Sequence, residues 1–91
     1  MEKYIVSVEL ERASNTNSLQ SVIQSVSKDF IQIQPNVWII LSNKTVTHIR
    51  DSIFQVITKR DRLFIGGLSS NYEGLFTASD SDYLRQKIYR R

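Results

Sequence analysis

Ninety-one residues make one small domain, which at this length buries only about 60–65% of its unfolded surface. The absence of cysteine and a single histidine exclude disulfides, thiolate chemistry and a Cys/His zinc site, so any metal would be a hard cation held by oxygen. A formal charge of +3 leans mildly toward polyanionic partners, while 41% hydrophobic and 23% charged residues describe a globular chain.

Tyr4 to Leu10 alternates apolar and mixed positions, with Tyr4, Val6, Val8 and Leu10 on one face and Ile5, Ser7 and Glu9 on the other, and predicts a first strand. After a polar stretch, Asn17 or Ser18 offers an N-cap to an amphipathic helix with Leu19, Val22, Ile23 and Val26 on one side. Phe30 to Gln34 and Val37 to Leu41 read as a hairpin around the turn Pro35-Asn36. A second helix begins at Thr45 with Val46, Ile49, Ile53, Val56 and Ile57 as its apolar stripe. Arg62 to Leu68 reads as a fourth strand, and Ser69 to Thr77 as a loop with room for a short fifth strand at Leu75-Phe76. Ser79-Asp80 then caps a last helix carrying Tyr83, Leu84 and Ile88.

The order β-α-β-β-α-β is the split βαβ, or ferredoxin-like, arrangement. The chain therefore reads as one α+β domain over 1–91, with a core over about 1–70 and a helical extension over 71–91. Nothing in it reaches the roughly 20 apolar residues of a membrane span, and MEKYIVSVELER lacks a secretory layout, which predicts a cytoplasmic chain with no membrane partner.

Two helices cover only one side of such a sheet, yet the third and fourth strands are apolar on both faces. The open face needs a cover, either the C-terminal segment or a second copy. A homodimer is the expectation, with Ile5, Ser7, Trp38, Ile40 and Phe64 at its interface and Glu9 nearby.

Charge gathers in two places, Lys59-Arg60 with Arg62, and Arg85, Lys87, Arg90 and Arg91 near the C-terminus. Clusters of this size are commonly solvated surface, and contact with RNA or DNA phosphate is the sharper reading. His48 lies on the polar side of the second helix, the serines look like caps and turns, and Gly66-Gly67 lacks the helix and lysine of a phosphate-binding loop. Trp38, Tyr72, Phe76 and Tyr83 read as core or interface more readily than as base-stacking platforms.

The segments YIVSVEL, NVWIILSNKTVTHIRDSIFQVI and KRDRLFIGGLS resemble the SinR-like small proteins, which in turn resemble the smaller CRISPR adaptation subunit. That family is ferredoxin-like, dimeric and assigned as a metal-dependent endonuclease, and the similarity extends to about Ser70. It implies that Glu9 stands where the family's strand-ending aspartate faces its twin across the dimer and holds Mg²⁺ or Mn²⁺. Gln34, Asn36, Val37 and Trp38 match a second family stretch, and Asp61-Arg62 the acidic start of strand four. Glu9 is one methylene longer than the aspartate, and Arg12 is the available counterpart of an early helix-one arginine.

Two functions emerge as expectations. The first is a dimeric nucleic-acid-associated protein of the nuclease type, with Glu9 at the metal and phosphate held by Arg12, Lys59, Arg60, Arg62, Arg85, Lys87, Arg90 and Arg91. The second is a catalytically silent module that keeps the fold and binds a protein partner, as a viral or mobile-element protein could.

Overall fold

The computed structural model describes residues 1–12 and 16–89. Its elements run β1 (Glu2–Glu9), α1 (Thr16–Val26), β2 (Asp29–Gln34), β3 (Val37–Ser42), α2 (Val46–Phe54), β4 (Arg62–Gly67) and α3 (Ala78–Tyr83), the last widening into a π-helical turn, Leu84–Ile88. The four strands lie in the order β2-β3-β1-β4 with every neighbouring pair antiparallel. This is the ferredoxin-like arrangement with an added C-terminal helix, and β1 and β3 are its central strands as expected.

Alternation along β1 sends Tyr4, Val6 and Val8 to the side covered by α1 and α2, where they meet Leu19, Ile23, Val26, Ile49 and Ile53. The register Val6↔Trp38 and Tyr4↔Ile40 puts Trp38 and Ile40 on that same side. Ser42 extends β3 one residue past the expected end because its buried hydroxyl is satisfied twice, donating to the Val26 carbonyl at 2.5 Å and accepting from the Lys44 N–H at 3.0 Å. Between β2 and β3, Asn36 takes the left-handed conformation (φ 55°) that asparagine tolerates, and its carbonyl accepts from the Val8 N–H at 2.9 Å, tying the turn to β1.

Several boundaries differ from the sequence reading. Helix α1 already includes Thr16, so Asn17 and Ser18 sit in its first turn and do not cap it. Thr45 caps α2 by accepting from the His48 N–H at 3.1 Å. Val56 and Ile57 lie beyond the end of α2 and still pack on the core. No strand forms at Leu75-Phe76, and Thr77, not Ser79 or Asp80, caps α3 through the Asp80 N–H at 3.1 Å.

The other side of the sheet has its own cover. Leu84 and Ile88, 1% and 3% exposed, pack with Ile39 and are ringed by Ile5, Ile31, Ile33, Leu41, Leu68, Phe76, Tyr83 and Tyr89. Tyr72 stacks on Tyr89 with ring centroids 4.3 Å apart, and Lys3 Nζ lies 5.3 Å from the Tyr89 ring centre. The sequence expectation that a second copy covers this face is therefore corrected, because the chain's own C-terminal helix lies on most of it. Trp38 and Ile40 are corrected with it, since both are core residues beneath α1 and α2.

Candidate functional site

The residues singled out for function converge on one end of the sheet, where β1 finishes beside the start of β4. The register Glu9↔Arg62 brings these two side chains to the same face, with Arg62 Nε 3.7 Å from Glu9 Oε1. Two residues on, Arg60 reaches Glu11 at 3.3 Å. These side chains point into solvent, and exposed pairs at such distances contribute about 0–1 kcal/mol each.

Asp61 plays a different part from its neighbours. Its Oδ1 accepts from the Glu11 N–H at 2.7 Å, and its Oδ2 accepts from the Thr58 N–H at 2.7 Å and the Thr58 hydroxyl at 3.3 Å. The Glu11 amide, followed by the Thr58 amide, holds its carboxyl below the usual carboxylate range. Asp61 thus closes the turn leading into β4 and staples it to the chain leaving β1. The spacing Thr58-x-x-Asp61 is the sequence signal for this local side-chain-to-backbone bonding.

Whether these residues fit a divalent cation is decided by the same contacts. Glu9 is 79% exposed and faces a guanidinium, Glu11 is paired to Arg60, and the Asp61 oxygens are taken by amides and a hydroxyl. Among the described residues no three acidic or histidine side chains come together. A single exposed carboxylate beside an arginine does not by itself form a Mg²⁺ or Mn²⁺ site, so one copy of the chain does not assemble the expected metal centre.

The other expected residues scatter. Arg12 and Lys59 are exposed near the Glu9 end. Arg85 is held by Asp82 at 2.5 Å, Lys87 is exposed on the C-terminal helix, and Arg90 and Arg91 lie outside the described residues. Of the expected interface residues, Ile5 is half-buried against the C-terminal cluster, Ser7 is half-buried, and Phe64 remains 57% exposed.

The sequence reading missed a border along β4. Val46, Thr47, Arg50 and Phe54 of α2 line a groove of about 240 Å³ together with Leu63 and Ile65 of β4. The groove continues past Ile57, Thr58, Lys59 and Asp61. Phe54 is 55% exposed here, and the signal for it was in the helix: Val46, Arg50 and Phe54 recur every four residues beside the Ile49-Ile53 stripe.

No protein-family model matches the chain, and no curated protein matches it. Among solved structures it is similar to the crystal structure of the hypothetical protein TT1823 from Thermus thermophilus, with a TM-score of 0.66 and 17% identity over 84% of this chain and 92% of that one. The likeness supports the fold. No helix among the described residues is long and apolar enough to cross a membrane.

Proposed function

We propose that this chain is a catalytically silent interaction module that binds a protein partner. The observation that carries the reading is the uncovered apolar border along β4, where Phe54 and Phe64 stand exposed on either side of one strand while the rest of the sheet is covered by the chain's own helices. An exposed apolar patch with charged residues at its border commonly marks a surface that a partner covers. The lone Glu9 with its arginine neighbour supports the absence of chemistry.

The test is incubation of the purified chain with single- and double-stranded RNA and DNA in Mg²⁺ and in Mn²⁺. The expected result is no metal-dependent cleavage. Cleavage that disappears in Glu9→Gln would overturn the reading and restore the metal-dependent dimer.

A second reading, association with RNA or DNA through phosphate, is favoured by one observation. The Arg60 and Arg62 side chains are 81% and 85% exposed and only weakly paired, so their guanidinium forks are free to exchange a carboxylate for a phosphate. Its signature is binding that falls steeply with salt and weakens in an Arg60→Ala/Arg62→Ala variant.

A further inference from the structure

We infer that the outer edge of β4 is a docking rail for an extended segment of a protein partner, with apolar residues at alternate positions and carboxylates flanking them. This rests on the interaction-module reading and names the partner's chemistry.

The two edges of the sheet are treated differently. On β2 the outward N–H of Phe30 donates to the Tyr83 hydroxyl at 3.2 Å, the ladder slips between Gln32 and Gln34, and Pro35 ends the strand. Those are devices that keep an edge from pairing. On β4 the Leu68 N–H donates to the Lys3 carbonyl at 2.8 Å, which fixes the parity of the ladder. Arg62, Phe64 and Gly66 then exchange bonds with β1, and the N–H and C=O groups of Leu63, Ile65 and Gly67 point outward. The strand Arg-Leu-Phe-Ile-Gly-Gly has no proline, no register slip and one charge, at its start.

A strand laid along this edge would send alternate side chains to opposite faces. One set enters the groove between Val46, Phe54, Leu63 and Ile65, and the other set covers Phe64. The groove-facing set is therefore apolar throughout, while the opposite set needs an apolar residue only over Phe64. Flanking charge comes from the groove's borders. Arg50 lies beside Phe54 and shares its guanidinium with the exposed Asp51 at 3.0 Å, Lys59 lines the continuation, and Arg62 stands exposed at the strand's start, 3.7 Å from Glu9. The one carboxylate lining the groove, Asp61, is already occupied by its own amides and hydroxyl. Carboxylates at the ends of the incoming segment complement these cations. A second copy of β4 paired antiparallel would instead set each Arg62 against the Gly67 end of its twin, a strand with no carboxylate to meet it.

The test is selection of a displayed random-peptide library on the intact chain, followed by amide hydrogen exchange with the most enriched peptide. Enriched sequences should alternate apolar residues between acidic ends, bind with slowed exchange at Leu63, Ile65 and Gly67, and lose roughly tenfold in affinity with Phe54→Ser. No enrichment, enrichment of basic sequences, or protection confined to other amides would overturn the rail. So would concentration-dependent self-association that protects the same three amides without peptide, or their protection by a single-stranded oligonucleotide. If the rail fails while the chain still cleaves no nucleic acid, the silent-module reading survives on its own; Glu9-dependent cleavage removes that reading whatever the peptides do.

Discussion

Replacing Leu84 by alanine separates a sheet covered by its own chain from one that waits for a second copy. Leu84 is 1% exposed against Ile39 and Ile88, so truncation removes buried contacts and leaves a cavity worth about 2–5 kcal/mol. For a domain of this size each kcal/mol lowers the Tm by roughly 4–8 °C, which puts the expected shift above about 8 °C. The loss has a ceiling, because the C-terminal segment can undock while the rest of the sheet stays folded. Trp38, the only tryptophan, lies under α1 and α2, so its fluorescence follows the main core. The Phe30 amide, bonded to Tyr83, reports the docking of the C-terminal segment through its exchange rate. Leu84→Ala should lower the Trp38 midpoint and speed exchange at Phe30. An unchanged midpoint with Phe30 still protected would refute the intramolecular cover, and a stable new dimer would return the face to a second copy.

Other outcomes rest on single contacts. Trp38 Nε1 is buried without a hydrogen-bond partner, so Trp38→Phe should cost under about 1 kcal/mol in urea titration and Trp38→Ala about 3–5 kcal/mol. Thr45→Ala should cost about 1 kcal/mol, read as a lower urea midpoint, by removing the cap on the His48 N–H. Asp61 has a lower pKa folded than unfolded, so its contribution is present above the unfolded value near 3.8 and is lost as pH falls through the folded value. Acid titration of stability should therefore have a shallower slope below about pH 4 in Asp61→Asn than in the parent chain.

Much of the architecture was legible because period-two and helical spacing are local signals. Tyr4, Val6 and Val8 declared a half-covered strand, and Ile49 and Ile53 a helix face. Trp38 and Ile40 were misplaced because Val37 to Leu41 is apolar at every position, and such a run carries no parity of its own. Pairing with Tyr4 and Val6 supplies the parity. The need to cover the open face was equally legible. Which chain does the covering depends on how the loop after Leu68 returns Leu84 and Ile88 to the sheet, a non-local fact. At the charged end, residue types gave the cluster and placed Asp61 at the start of strand four, but not that its bonds run mainly to the backbone amides of Glu11 and Thr58, one of them fifty residues away.

The π-helical turn at Leu84–Ile88 carries a consequence for the length of the chain. The Tyr89 N–H donates to the Leu84 carbonyl five residues back, at 2.7 Å, so this turn holds one residue more than an α-helical turn would. The wider turn absorbs that extra residue, so Tyr89 sits close to the rotational phase that an ordinary i→i+4 bond to Leu84 would give it. Deleting one of the exposed residues Arg85 to Lys87 would therefore restore an ordinary helical turn, with Leu84 still seated and the Tyr89 N–H still on the same carbonyl. Tyr89 would keep its place on Tyr72 and Lys3, so the aromatic clasp tolerates at this turn a one-residue shortening that in a regular helix would swing it aside by roughly 100°.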